Sequence, residues 1–243
     1  NKKCVVTTIH HIDWNKYKKD EYLDKYTTYY HAICPKVEQD IRKITTKPII
    51  TSNFWINENV FFNMTNKKSL KDKYKIPHDK FIVGSFQRDT EGSDPNMPKL
   101  SKGPDIFIKI INNMKDQDKN PFVVLSGWRR TYVINELKKN NIPYIYYELI
   151  QPDQLNELYN CLDLYVVSSR CEGGPRSIME CGQTLTPIIS TDVGISNIIL
   201  DNSSIFDMNN YLSYVDAIPN IHIAKMNTDK YKISNFMKEF VNK

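Results

Sequence analysis

The sequence predicts an α/β protein: one complete domain whose parallel sheet carries helices on both faces, plus part of a second domain. Three observations predict it. Short apolar runs alternate with stretches whose apolar residues recur at helical spacing, the pattern of strands joined by crossover helices. The 243 residues exceed the roughly 100–150 of a typical domain. A hydrophobic share of 40% supplies a sizeable core, and a charged share of 25% is ordinary for a globular chain, which excludes bulk disorder.

Taken in order, Val5–His11 reads as a strand ending in two histidines. Tyr22, Tyr26, Tyr29 and Tyr30 form a stripe at helical spacing, read first as core or interface packing. Strands follow near Phe81–Phe86, Phe122–Ser126, Tyr144–Tyr147, Leu164–Val167 and Pro187–Ser190. Helices lie between them near Pro104–Met114, Tyr132–Asn140, Pro152–Leu162 and Arg176–Gln183, with Ile106, Phe107, Ile110 and Ile111 on one face of the first and Asp153 as N-cap of the third. A last helix, Tyr231–Lys243, carries Ile233, Phe236, Met237 and Phe240 at helical spacing.

The loops Gly84–Arg88, Gly127–Arg130 and Arg170–Gly174 each follow a predicted strand. Ligands of such sheets bind beyond the carboxyl ends of the strands, so these loops should converge on one rim. The most informative of them runs Glu172-Gly173-Gly174-Pro175-Arg176 and continues to Glu180. It reads as strand, glycine turn, helix, with one acid in the turn and one on the helix. Such a turn exposes amide N–H groups, and the helix start adds partial positive charge, so an anion is favoured there. Pro175 suits the first helical position, where its missing N–H costs nothing. A diphosphate on the turn would set a sugar near Glu172 and a nucleoside near Glu180, which describes a nucleotide-sugar site.

Other chemistries lack their signals. No G-x-G-x-x-G follows a strand and no G-x-x-x-x-G-K-[ST] occurs, against a nicotinamide oxidoreductase and a phosphate-loop NTPase. The net charge of +5 reads as a solvated surface, with no nucleic-acid motif beside the aromatic stripe. Cys4, Cys34, Cys161, Cys171 and Cys181 form no C-x-x-C pair; the odd count and wide spacing point to free thiols, a reducing compartment and a cytoplasmic protein. No metal-ligand spacing appears beyond adjacent His10 and His11. No run approaches the ~18 apolar residues of a membrane span, and no secretory signal core follows Asn1-Lys2-Lys3. The sequons at Asn63 and Asn202 read as chance.

The spacing of Glu172 and Glu180, with the Gly-Gly-Pro-Arg between them, resembles the E-x7-E motif of the retaining glycosyltransferases of family 4, which have the GT-B fold. Residues 181–194 follow the family's A-x-x-x-G-x-P-V-V-x-x-x-x-G pattern, with Cys181 in place of the common Ala. The resemblance implies a GT-B type chain with a Rossmann-like donor-binding domain over residues 61–243. Residues 1–60 are then the tail of an acceptor-side Rossmann-like domain and the interdomain link, where Phe54 and Trp55 depart from the usual Gly. The chain is expected to be either a fragment of a longer enzyme or a naturally short protein.

The implied roles follow residue by residue. Arg88 and Lys102 match the basic pair that clamps the donor diphosphate, helped by the amides of Gly173 and Gly174. Glu172 meets the sugar hydroxyls, and with Arg88 and Lys102 it makes the catalytic set. Glu180 accepts hydrogen bonds from the ribose diol, a geometry that suits a carboxylate. Gly84, Pro175, Arg176 and Arg129 are further donor-binding candidates. Leu149 follows the third strand, where the family holds the base. His10 matches the histidine of the V-x-T-x-H segment near the donor sugar, and His11 is its alternative. Trp128 either walls the nucleotide pocket or packs, and residues 89–100 are either a loop over the donor or a surface insertion. Ser190–Gly194 resembles a loop of the site or is a simple turn. The C-terminal helix either crosses to the first domain or stays on its own.

The implied activity is sugar transfer from a nucleoside diphosphate-sugar to an acceptor with retention, of hexosyltransferase type and with no metal or other cofactor. The acceptor is an unknown glycan, lipid or small molecule, and contact with a membrane surface stays open. The alternatives are a nucleotide-sugar-binding protein without transfer activity and a GT-B sugar-nucleotide epimerase.

Overall fold

The structure, a computed structural model, describes residues 3–14 and 21–235. It contains two parallel sheets. The first has three strands in chain order, β1 (Val6–Ile9), β2 (Tyr29–Ala32) and β3 (Ile49–Thr51), with α1 (Glu21–Tyr26) and α2 (Pro35–Arg42) between them. The tyrosine stripe divides here: Tyr22 and Tyr26 stack on α1, whereas Tyr29 and Tyr30 belong to β2. β-branched and aromatic neighbours pull residues 29–32 into a sheet, which overrides the helical spacing.

After α3 (Lys67–Lys73) comes a second sheet of six parallel strands in the spatial order β6-β5-β4-β7-β8-β9. These are β4 (Phe81–Ser85), β5 (Pro121–Ser126), β6 (Tyr144–Tyr147), β7 (Leu164–Val167), β8 (Ile188–Thr191) and β9 (Ile205–Phe206). The crossovers are α4 (Pro104–Asp116), α5 (Thr131–Lys139), α6 (Pro152–Cys161), α7 (Arg176–Thr184) and α8 (Ser196–Ile199), and α9 (Ile221–Thr228) packs back on α7. The strand order reverses between β4 and β7, so the ligand crevice of a doubly wound sheet opens beyond their carboxyl ends.

Alternation along these strands makes two cores. Ile82, Val124, Tyr165, Val167 and Ile188 face one side, where they join Ile33, Ile41 and Ile178 in a core continuous with the first sheet. Val83, Val123, Leu125, Val166 and Ile189 face the other, against Phe107, Ile110 and Ile111 of α4. Because β7 is buried along its whole length, it reads in sequence as an unbroken apolar run.

Two helix starts differ from the sequence expectation. Asp153 lies in the first turn of α6, whose cap is a reciprocal box between Gln151 and Gln154. Pro175 caps α7 rather than occupying its first turn. At the far end of the chain, Ile56 Nα donates to the Tyr231 carbonyl (2.8 Å) and Ile233 Nα to the Ile56 carbonyl (2.9 Å). The chain thus returns to the link between the sheets; Phe236, Met237 and Phe240 lie outside the described residues.

Candidate functional site

The loops after β4 and β7 are stitched together where the strand order reverses. Arg170 and Cys171 amides both donate to the Ser101 carbonyl (2.8 and 3.1 Å). The Arg170 guanidinium forks onto both Asp105 carboxylate oxygens (2.7 and 2.6 Å) at the start of α4. That bidentate pair holds the Arg170 side chain and, with the Ser101 bonds, fixes the turn that carries Glu172. Gly103 sits in the left-handed region at φ 61°, with the Ser168 carbonyl only 1.7 Å from where a Cβ would stand. No other residue lets the two loops meet this closely.

The Gly-Gly turn also meets the first sheet. A Cβ on Gly173 would lie 1.5 Å from the His10 carbonyl oxygen, so the loop after β1 rests directly on the turn. Cys171 Sγ reaches the Ile12 carbonyl (3.7 Å) beside it.

Between these loops and α6 lies a cleft of about 350 Å³. Lys102, Glu172, Gln87 and Gly174 line it, together with Arg176, Ser177, Glu180 and Leu155. Phe86, Tyr159 and Tyr165 line it too and form a mutually packed aromatic cluster, with ring centroids 4.8–5.4 Å apart. The two acids therefore share one cavity. Lys102 Nζ donates to Glu172 Oε1, and Gln87 Nε2 holds the Lys102 carbonyl (3.0 Å). Glu180 is only 8% exposed, and its Oε2 accepts from the Tyr159 hydroxyl at 2.7 Å. Burial pushes the Glu180 carboxyl up from its ordinary range, against the pull of the Tyr159 hydrogen bond and the Arg176 charge.

Cations crowd around Glu172. Burial lowers the Lys99 ammonium, and the neighbouring Lys102 and Arg88 charges lower it further. Burial likewise lowers His11; Glu172 pulls it up, and Lys102 and Lys99 push it down. A pocket of like charges at a helix start is arranged for an anion, which would relieve their repulsion. His11 thus lies within reach of the Glu172 and Lys102 charges, and His10 packs its ring 5.8 Å from Phe54.

Several predicted residues lie elsewhere. Arg88 stands outside the cleft lining: its Nε donates to the Thr90 carbonyl (2.7 Å) and its guanidinium lies 5.5 Å from the Trp128 ring. Arg129 covers the same ring at 5.4 Å and ties down residues 89–100 by donating to the Gly92 carbonyl (2.6 Å). Trp128 is exposed between these two arginines and does not wall the cleft. Leu149 is 69% exposed and outside the lining. Gly84 lies inside β4, where a Cβ would overlap Leu162, so packing explains it. Arg130 is buried in an ion pair with Asp89 (3.1 Å) and also donates to Ser85 and Ser126 carbonyls, tying the ends of β4 and β5. Residues missed in sequence include Lys99, Gln87, Leu155 and Tyr159. Only Lys99 had a signal, its spacing of three from Lys102 ahead of a helix; Tyr159 reads as core.

Among the described residues, no group of three or more His, Cys, Asp or Glu side chains is placed to hold a metal ion. None of the five cysteines is in a disulfide. No described helix is long and apolar enough to cross a membrane.

The family model of the glycosyl transferases group 1 matches residues 96–222, more than half of the chain, from the insertion through both acids to α9. The chain belongs to this family. Solved structures agree on the architecture, GT-B. Sucrose-phosphate synthase from Thermosynechococcus elongatus superposes with a TM-score of 0.77 at 13% identity, over 98% of this chain and 66% of that one. A glycosyltransferase from Rickettsia africae gives 0.73 at 17%, over 98% and 69%. HepE of Anabaena, solved in complex with UDP-glucose, gives 0.75 at 12%, over 99% and 71%. At these identities the likeness establishes the fold, and the chain spans about two thirds of the length of these proteins. By sequence, no curated protein matches it.

Proposed function

We propose that this glycosyltransferase domain binds a nucleoside diphosphate-sugar in the cleft between β4 and β7 and transfers the sugar with retention at the anomeric carbon, as a family 4 hexosyltransferase would. One observation carries the reading: Glu172 paired with Lys102 and Glu180 paired with Tyr159 line a single cavity, with a glycine turn and a helix start between the two acids. In this reading the ribose diol donates to Glu180. The diphosphate lies against Lys102, Lys99 and the Gly173–Gly174 turn. Arg88, outside the cleft lining, reaches it by leaving Trp128. The sugar hydroxyls meet Glu172.

The bond from the anomeric carbon to the diphosphate oxygen breaks with its electron pair leaving on the diphosphate. An acceptor hydroxyl oxygen bonds to the same face of that carbon, and its proton leaves with the nucleoside diphosphate. The protein's task is to stabilise the departing charge electrostatically, which two lysines and a helix end supply without calling on a metal ion. HepE bound to UDP-glucose supports a uridine donor as the first to try. Residues 61–243 are read as the donor unit, and residues 1–60 as acceptor-side remnant and link.

The test is calorimetric titration with UDP, GDP and ADP, followed by incubation with the matching sugar nucleotides and NMR of the released or transferred sugar. Binding in the micromolar range with an α-configured product from an α-donor supports the reading. Binding with neither hydrolysis nor transfer supports a nucleotide-sugar-binding role, and an epimerised sugar supports the epimerase.

A further inference from the structure

In the donor reading above Tyr159 touches no part of the donor itself, yet its hydroxyl makes one of the few polar contacts in the aromatic cluster. The residue lies on α6, is 1% exposed, and packs edge-on against Phe61 and Phe86 at centroid distances of 6.2 and 4.8 Å. Its three ring neighbours, Phe61, Phe86 and Tyr165, would hold a phenylalanine equally well, so packing does not explain the hydroxyl. The hydroxyl points at Glu180 Oε2, 2.7 Å away on α7. We propose that Tyr159 is a positioning residue that fixes the Glu180 carboxylate in the orientation that reads the ribose diol of the donor, and so sets the preference for ribose over deoxyribose. The inference rests on the donor-site reading.

The physical case has three parts. A carboxylate has about four acceptor positions on its two oxygens. With one taken by Tyr159 from the α6 side, rotation of the carboxylate is restrained, and Glu180 itself lines the cleft. Burial opposes the ionised form of Glu180, and the Tyr159 hydrogen bond is the largest influence acting against it. Burial also holds the Tyr159 phenol far above its ordinary range, so it stays a donor at every pH the protein experiences. The Tyr159 bond therefore acts against the protonation that burial favours and against rotation of the Glu180 carboxylate.

The experiment compares the parent chain with Tyr159→Phe, which retains the ring. Calorimetric titrations use UDP and 2′-deoxy-UDP, or the GDP or ADP pair where the parent prefers that base, over a range of pH. Thermal unfolding is followed alongside. Tyr159→Phe is expected to lose about tenfold in affinity for the ribonucleotide, the scale of one charge-assisted hydrogen bond. The loss for the 2′-deoxynucleotide is smaller, so the ribose preference shrinks, and the pH of half-lost binding on acidification moves up. Equal losses for both nucleotides with an unmoved acid limb would mean that the hydroxyl is merely structural, and would overturn the inference. If the phenylalanine variant does not fold, Tyr159→3-fluorotyrosine, a stronger donor of the same shape, should move the acid limb down; an unmoved limb overturns the inference. A parent that binds none of the three diphosphates defeats the donor-site reading itself. A parent that binds them with no effect of the Tyr159 variants defeats this inference alone.

Discussion

Glu180→Gln keeps the shape of a buried side chain and removes its charge, which separates binding from folding. In the parent, Oε2 accepts from Tyr159 and Glu180 lines the cleft. Two ribose hydroxyls donating to a carboxylate contribute roughly 1.5–3 kcal/mol each. The glutamine carbonyl is engaged by Tyr159, and its –NH₂ presents donors to donors, so at most one neutral bond of about 1 kcal/mol remains. The expected loss is about 2–5 kcal/mol, a weakening of nucleoside diphosphate binding by roughly 30-fold or more. Stability should move the other way. Glu180 has a folded-state pKa raised above its unfolded value by burial. Its contribution is fully favourable below the unfolded pKa and is lost as pH rises through the folded one, so at neutral pH the charge is a burden. Glutamine mimics the protonated form, and the variant should unfold at an equal or higher temperature at pH 7. Titration calorimetry and thermal unfolding on one preparation read both quantities. Parental affinity, or a loss of affinity matched by a loss of stability, would refute the ribose assignment.

Four further outcomes follow from the geometry. Lys102→Ala should weaken diphosphate binding by about 1.5–3 kcal/mol, as for a charge-assisted bond, while nucleoside binding changes little; unchanged diphosphate affinity moves that role to Lys99 or Arg88. Arg130→Met strands the buried Asp89 carboxylate and should cost about 3–5 kcal/mol in urea unfolding, and a cost below 1 kcal/mol would show the pair to be dispensable. Gly173→Ala places a methyl where the His10 carbonyl lies, which should push the turn off the β1 loop and reduce nucleotide affinity more than tenfold with the helices intact by circular dichroism. Nucleotide affinity should be bell-shaped in pH: the acid limb sits above the ordinary glutamate value of 4.5 because burial raises Glu180, and the alkaline limb below the ordinary lysine value of 10.5 because burial, Lys102 and Arg88 lower Lys99. An acid limb below 4.5 would contradict the account.

The strands and helices from β4 to β8 were legible because each is buried on a fixed period: β7 as an apolar run, α4 through Ile106, Phe107, Ile110 and Ile111. The Glu172–Glu180 spacing was legible because a turn and one helix set it locally. What sequence could not show depends on contacts between elements. Arg88 stands beside the right strand, but its guanidinium lies by Trp128, forty residues on, outside the cleft lining. Arg129 reads as a ligand and instead ties down an insertion whose fold no local pattern announces. Tyr159 reads as core because it is core; only the neighbouring helix reveals a partner for its hydroxyl. The two-residue β9 and the weakly patterned α9 give no period long enough to detect.

A crystal structure of this chain with the tightest-binding nucleoside diphosphate puts the whole arrangement to the test at once. The ribose hydroxyls should lie about 2.5–3 Å from the Glu180 carboxylate, with phosphate oxygens against Lys102 Nζ and the Gly173–Gly174 turn. A nucleotide seated anywhere else, or reversed so that its base lies at Glu172, would contradict it.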